Sequence, residues 1–303
     1  MTQTEITPAH GRMCILLAAI LWSLSGAFTK VLTQTTFLGL NEPPIETLAV
    51  AGTQIPVQIA LYRALFAGLV LVPTLRSSHI QFRPMMLVML VFFALMNASF
   101  ISAQALGNAA DAILLQYSAP LWLYLVSIFW LGEASDRRGT ISLFAGLLGI
   151  AIIIVAGGRE SGFVVMAIGL LSGFTYAGVL VGLRLLRDLP SGWLTVWNHL
   201  LGGLLLVPFV LMLKPPTGEQ FIVLFFFGAI QMGFPYWLMA RGLRSVSAQE
   251  AGTLSLLEPL LNPLWAYFIA NEVPQPWTYV GGTVILGALA YRYWPISSQP
   301  RDR

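Results

Sequence analysis

The sequence predicts an all-α membrane protein of ten transmembrane helices in two inverted five-helix repeats. Three observations predict it. Of 303 residues, 57% are hydrophobic and 10% are charged, with a mean hydropathy of +0.77. A soluble domain carries about 25% charged residues. Ten stretches are apolar over about the 20 residues that a crossing helix needs. One of those stretches also occurs twice. Gln116-Tyr-Ser-Ala-Pro-Leu-Trp-Leu-Tyr-Leu-Val-Ser-Ile-Phe-Trp-Leu-Gly-Glu133 reads against Ser255-Leu-Leu-Glu-Pro-Leu-Leu-Asn-Pro-Leu-Trp-Ala-Tyr-Phe-Ile-Ala-Asn-Glu272. Pro120 then falls on Pro259 and Glu133 on Glu272. A repeated unit with an odd number of spans is inserted upside down the second time. Secondary transporters are commonly built from such inverted repeats, with the substrate site between the halves.

Taken in order, the first span covers 12–33. Its apolar run from Met13 to about Leu32 is longer than the roughly 7–15 residues of a signal-peptide core, so a span is expected there and not a cleaved leader. Residues 34–53, with Asn41-Glu-Pro-Pro44, are too polar for lipid and read as an exposed loop. Span 2 (54–74) carries Arg63, and span 3 (84–106) carries Asn97. Span 4 (110–132) is kinked at Pro120. Span 5 (139–157) follows Arg137-Arg138 and offers Gly146 and Gly149 for close helix approach. Span 6 (162–185) opens the second half, and span 7 (190–213) holds Asn198 and His199. Span 8 (220–242) holds Gln231, Tyr236 and Trp237. Span 9 (248–270) contains Glu258-Pro259 and Asn262-Pro263, and span 10 (275–294) contains Gly281-Gly282. The expected units are residues 1–159 and 160–303, with spans 1–5 matching spans 6–10 in order. Phe66-Ala-Gly-Leu-Val-Leu-Val-Pro73 matches Leu201-Gly-Gly-Leu-Leu-Leu-Val-Pro208, and Ala109-Ala-Asp-Ala112 matches Ala248-Gln-Glu-Ala251.

The basic residues orient the chain, because cytoplasmic loops are enriched in Lys and Arg. With a cytoplasmic N-terminus, Arg12, Arg76, Arg83, Arg137, Arg138, Arg184, Arg187, Arg241, Arg244, Arg292, Arg301 and Arg303 all lie inside. Lys30, Arg159 and Lys214 fall at outer ends. The sequence therefore predicts a multi-pass protein of the cell membrane with both termini cytoplasmic. The net charge of +3, spread over short loops, argues against a nucleic-acid partner. The single Cys14 excludes an intrachain disulfide and a cysteine metal cluster.

Leu257-Glu-Pro-Leu-Leu-Asn-Pro-Leu-Trp-Ala-Tyr-Phe-Ile-Ala-Asn-Glu272 resembles the signature of EamA-type carriers in the drug/metabolite transporter superfamily. Leu131-Gly-Glu133 is its first-half copy. Leu21-Trp-Ser23 with Lys30 is similar to that family's first helix, and Ala60-Leu-Tyr-Arg63 to its second. The resemblance spans residues 12–294 and implies ten helices in two inverted halves that carry small metabolites, often outward. The longer 34–53 loop and Ala270-Asn-Glu272 in place of Leu-Gly-Glu depart from the pattern.

Ionisable groups in lipid cost roughly 2.5–3.5 kcal/mol on insertion scales, so Arg63, His199 and Glu258 are functional candidates. Arg63 and Glu258 lie at matched depth near mid-membrane, placed to pair with each other or to grip the two ends of a zwitterion. Glu258 and Asn262 stand four residues apart beside proline-broken backbone, as a substrate or proton site needs. A packing kink is the alternative. Asn198 and His199 occupy the repeat positions of Arg63 and Ala64, and histidine titrates near neutrality. Trp22, Tyr117, Tyr236 and Trp237 are candidate cavity aromatics, and Asn97 and Gln231 are further polar groups.

The function predicted is a secondary transporter that moves a small metabolite, an amino acid or related compound, by alternating access and in the export direction. Multidrug or cation efflux and a non-transporting scaffold are the alternatives. An intramembrane enzyme and ATP-driven transport are disfavoured, because no metal pattern, Gly-x-Ser-x-Gly elbow or nucleotide-binding loop is present. No cofactor is expected. The partners are a small-molecule substrate and the lipid bilayer, with proton coupling and a homodimer left open.

Overall fold

A computed structural model describes residues 7–34, 44–130, 132, 136–246 and 248–294. Its helices are α1 (Pro8–Trp22), α2 (Ser25–Thr33), α3 (Val57–Leu71), α4 (Met85–Leu106), α5 (Ala109–Gln116), α6 (Ala119–Phe129) and α7 (Arg137–Gly157). They continue with α8 (Phe163–Leu185), α9 (Ser191–Leu204), α10 (Val207–Val210), α11 (Gly218–Phe226) and α12 (Phe234–Gly242). The last three are α13 (Ala248–Ser255), α14 (Leu257–Ala270) and α15 (Pro276–Tyr293). The protein is an all-α, multi-pass membrane protein. Among the described residues, seven helical stretches are long and apolar enough to cross a bilayer by length and composition. One of these, Arg137–Leu185, has 49 residues, about twice the length of a single crossing. It contains the π-helical turn Gly158–Gly162, where Gly162 takes a φ of 89°, a conformation that glycine adopts without strain.

Backbone polar groups in lipid must be satisfied by protein, and the helix ends show how. Asn108 Oδ1 accepts from the Ala110 N–H at 2.9 Å, and Asp136 Oδ1 from the Gly139 N–H at 2.7 Å. Thr217 and Gln220 form a reciprocal capping box at the start of α11. Buried packing joins elements distant in sequence. α4 lies against α8, α1 against α12, α3 against α9, and α7 against α15. The α7–α15 crossing rests on two glycines. A Cβ on Gly281 would sit 2.8 Å from the Gly149 carbonyl oxygen, and one on Gly149 would sit 2.7 Å from the Gly281 carbonyl oxygen. Small residues let backbones approach this closely in membranes. Gly281→Val is therefore expected to destabilise the fold by about 1–3 kcal/mol through overpacking. A lowered melting temperature in detergent checks it, and an unchanged melt would show that the crossing yields easily.

Several expected elements differ in detail. The first span is two helices, broken at Ser23–Leu24. The fourth breaks at Tyr117–Ser118, before Pro120, and the ninth at Leu256, before Pro259. A proline in the first turn of a helix follows each of these two breaks, where its missing N–H costs nothing. The eighth span contains a π-helical stretch, Phe227–Gly233, between α11 and α12. The loop expected over 34–53 ends in a hairpin of β1 (Leu48–Val50) and β2 (Thr53–Ile55). Its two-residue turn has positive φ at Ala51 (50°) and Gly52 (80°), the twist that suits antiparallel strands. Asn41, Glu133 and the last nine residues lie outside the described residues.

Candidate functional site: a central cavity with opposed charges

A cavity of about 430 Å³ lies at the centre of the bundle, within the size range of small-molecule sites. The broken first, fourth and ninth spans and the bulged eighth span all contribute to it. The end of α1 supplies Trp22, and the π stretch supplies Gln231 and Met232. The α5–α6 break supplies Gln116, Tyr117 and Pro120. The α13–α14 break supplies Ser255, Leu256 and Glu258. α3 adds Arg63, α4 adds Met96 and Phe100, and α8 adds Tyr176, Leu180 and Leu183. α12 adds Tyr236 and Met239, and α15 adds Leu289 and Tyr293. The lining continues to Leu183, Leu243, Gly252 and Tyr293, at the C-terminal ends of α8, α12 and α15 and the N-terminal part of α13. Leu243 there is 44% exposed, so this end, where the lining reaches the surface, is taken as the cavity mouth.

Arg63 is fixed by one hydrogen bond and two aromatic faces. It donates to Asn97 Oδ1 at 2.6 Å, and Asn97 Nδ2 donates to the Ala60 carbonyl at 2.7 Å. Asn97 thereby ties the guanidinium back to its own helix, one turn away. The guanidinium lies 5.1 Å from the Phe227 ring centroid and 5.9 Å from that of Phe100, within cation–π range. Its Nε is buried without a protein partner. Five donors in a planar fork suit a carboxylate, so Arg63 retains capacity for an anionic ligand group.

Glu258 stands on another wall. Tyr117 Oη lies 2.8 Å from Glu258 Oε2 and 2.9 Å from the Ser255 carbonyl oxygen. Among the described residues no ion pair joins Arg63 to Glu258. The cavity therefore keeps one basic and one acidic group apart, with aromatic surface around them. Trp22 meets Tyr236 edge-on at 5.2 Å, and Tyr236 meets His199 at 4.9 Å.

Of the eleven residues expected from the sequence, Trp22, Arg63, Tyr117, Gln231, Tyr236 and Glu258 line the cavity. Asn97, Asn198, His199 and Asn262 are buried behind the lining, and Trp237 lies off the cavity, exposed and stacked on Phe234. His199 Nδ1 lies 2.7 Å from the Thr195 carbonyl, so that nitrogen carries the proton, and the ring packs 4.8 Å from Phe93. Asn262 Nδ2 donates at 3.0 Å to both the Ser23 carbonyl and Ser25 Oγ, supporting the break in the first span. The expected site omitted Gln116, Tyr176, Ser255 and Tyr293. Gln116 and Ser255 open the two copies of the repeated stretch, which is a usable sequence signal. Tyr176 and Tyr293 carry none, because aromatic side chains in such a chain mostly pack. Among the described residues no three His, Cys, Asp or Glu side chains gather as a metal site.

Residues 163–293 match the model of the EamA-like transporter family. An uncharacterized transporter of Archaeoglobus fulgidus is 30% identical over 66% of this chain and 72% of its own length. The chain belongs to the EamA-like transporter family. This EamA-like protein is also 27% identical to the pseudopaline exporter CntI of Pseudomonas aeruginosa, over 87% of this chain and 94% of the exporter. It is 20% identical to an S-adenosylmethionine uptake transporter of Rickettsia bellii, over 77% of this chain and 82% of the other. One solved crystal structure superposes with a TM-score of 0.62 at 17% identity, over 94% of this chain and 98% of the other. That likeness speaks to the fold alone. The EamA-like protein is a membrane transporter of small molecules and not an enzyme.

Proposed function

We propose that this EamA-like protein is a secondary transporter that exports a zwitterionic metabolite, an amino acid or related compound, by alternating access. The observation that carries the proposal is the placement of Arg63 and Glu258 on separate walls of one cavity, unpaired with each other. A solute carrying both a carboxylate and an ammonium group satisfies both, with its body against Trp22, Phe100 and Tyr236. The reading places residues 1–159 and 160–303 as inverted five-helix halves. Packing supports it: exchanging the halves turns the α4–α8 contact into the α12–α1 contact and maps α3–α9 and α7–α15 onto themselves. The breaks before Pro120 and Pro259 fall at equivalent repeat positions. The family match starts at residue 163, near the proposed boundary.

With both termini cytoplasmic, as the arginine distribution favours, the cavity mouth faces the cytoplasm and takes its cargo there. Glu258 is the proposed proton carrier for coupling to a pH gradient. The aromatic surround of Glu258, with Tyr117, Tyr176, Tyr236 and Tyr293, favours amphipathic cations as the second reading. The test is flux into vesicles reconstituted with purified protein, using labelled amino acids, other metabolites and organic cations, with and without an imposed pH gradient. Saturable flux of zwitterions that follows the gradient is expected. Flux confined to cations would favour the second reading. No saturable flux of any compound by folded protein would count against transport of either class.

A further inference from the structure

At the end of the bundle opposite the cavity mouth, two charges are buried together. Lys30, in the last turn of α2, and Glu272, just past α14, form an ion pair of 2.5 Å with side chains 2% and 16% exposed. The chain reaches Glu272 through Asn271, whose left-handed conformation (φ 52°) ends α14. Each member also makes a second bond, and both second bonds go to one place. Lys30 Nζ donates to the Gly107 carbonyl at 2.8 Å, and Glu272 Oε1 accepts from the Ala109 N–H at 2.6 Å. Gly107 and Ala109 flank the corner between α4 and α5. The carboxylate thus sits at the first N–H of α5, where the helix dipole favours negative charge.

We propose that Lys30 and Glu272 act as one unit that latches the α4–α5 corner and closes this side of the bundle. The inference rests on the alternating-access reading and names the device that reading needs. The halves show where a seam must open. Near the latch, α5 packs on α14 and α2 on α4. At the mouth, among the described residues, neither counterpart, α6 with α13 nor α8 with α12, packs comparably. The latch bonds cross the two contacts whose counterparts are parted at the mouth. The ion pair itself does not cross them. It joins α2 to the end of α14, and the counterpart of that contact at the mouth, α8 with α6, stays packed.

The chemistry follows from that geometry. Removing one partner of a buried pair leaves an uncompensated charge, which is costly. A latch in which both charges sit on one side of the seam avoids this. When the corner leaves, each charge keeps its partner, and two backbone groups pass from the pair to entering water. Beneath the latch, Thr29 donates to Gln104 at 3.2 Å, and Gln104 and Asn262 each donate to Ser25 Oγ at 3.0 Å. These groups can also exchange protein partners for water.

The test reads access to the cavity without needing a substrate. In a Cys14→Ala background, Leu256→Cys on the cavity wall reports reaction with a membrane-impermeant maleimide added from each face in turn. The native latch should permit labelling from the mouth face and block it from the latch face. Lys30→Met is expected to raise latch-face labelling about tenfold or more, the scale of losing a charge-assisted bond. Ala109→Pro removes the N–H that Glu272 accepts. The backbone admits it, because Asn108 is already extended (φ −78°, ψ 131°) and Ala109 begins α5. Latch-face labelling should rise here too, with the ion pair intact. The exchange Lys30→Glu with Glu272→Lys keeps the pair but faces the Ala109 N–H with a donor and the Gly107 carbonyl with an acceptor. It should label like Lys30→Met. Monodisperse elution qualifies each variant, and any one that folds decides the matter. Native-like blocking of the latch face in the exchanged pair, or in Ala109→Pro, would overturn the proposal, as would unchanged labelling of Lys30→Met.

Discussion

Replacing Glu258 by glutamine is expected to leave the protein folded and to lower gradient-driven flux by about 10–100-fold. The two side chains have nearly the same shape, and an amide can keep the 2.8 Å contact with the Tyr117 hydroxyl. What disappears is the negative charge and the ability to take up a proton. A hydrogen bond to a charged group contributes about 1.5–3 kcal/mol, and about 1.4 kcal/mol corresponds to tenfold in affinity. A substrate ammonium group should therefore bind more weakly by that factor. The imposed pH gradient should also cease to drive flux. Both are read in the same vesicle experiment, with the melting temperature as the control for folding. Flux that stays at the native rate and still follows the gradient would reduce Glu258 to a support for the α13–α14 break.

Arg63→Gln should have a comparable effect on substrate and a larger one on the protein. The guanidinium is the partner of Asn97 and rests over Phe227 and Phe100. Its removal leaves Asn97 Oδ1 buried without that donor, which costs about 1–3 kcal/mol. The expected result is a lower melting temperature together with zwitterion affinity weakened by about 10–100-fold. A second variant separates the two effects. Asn97→Leu removes the support for Arg63 while leaving its charge in the cavity, so it should lower the melting temperature with a smaller loss of affinity. Equal losses of affinity in the two variants would mean that Arg63 acts through the fold alone.

Most of the architecture was legible because lipid imposes a simple rule: long apolar runs must be helices. The breaks in the fourth and ninth spans were legible too, because Pro120 and Pro259 announce them. The break at Ser23–Leu24 was not. No proline marks it, and Gly26, two residues on, lies inside α2. Its freed carbonyls are met by groups far along the chain: Gln231 Nε2 donates to the Trp22 carbonyl at 2.8 Å, and Asn262 Nδ2 donates to that of Ser23 at 3.0 Å. The π-helical stretch at Phe227–Gly233 escaped notice for the same reason, since packing decides it and no local residue type does. At the site, a charge in an apolar run stands out, which is why Arg63 and Glu258 could be named. Tyr176 and Tyr293 could not, because nothing in the sequence separates an aromatic that lines a cavity from one that packs. Asn97, Asn262 and His199 were visible as polar residues, yet their place behind the wall depends on helix rotation, which the repeat alone does not fix. The sequence alone places Lys30 near a helix end. Its burial against Glu272 depends on a helix more than two hundred residues away.

The placement of Arg63 and Glu258 also bears on how the membrane voltage acts on the carrier. With both groups ionised, the empty cavity holds one positive and one negative charge. A zwitterion adds nothing to that sum. A change of state that carries the cavity charges through the field therefore does no net electrical work, whether the site is loaded or empty. Moving one uncompensated charge would cost or release about 2.3 kcal/mol per 100 mV. A proton held on Glu258 supplies such a charge. Under the proposed proton-coupled export of a zwitterion, the current would count protons and be blind to the cargo itself.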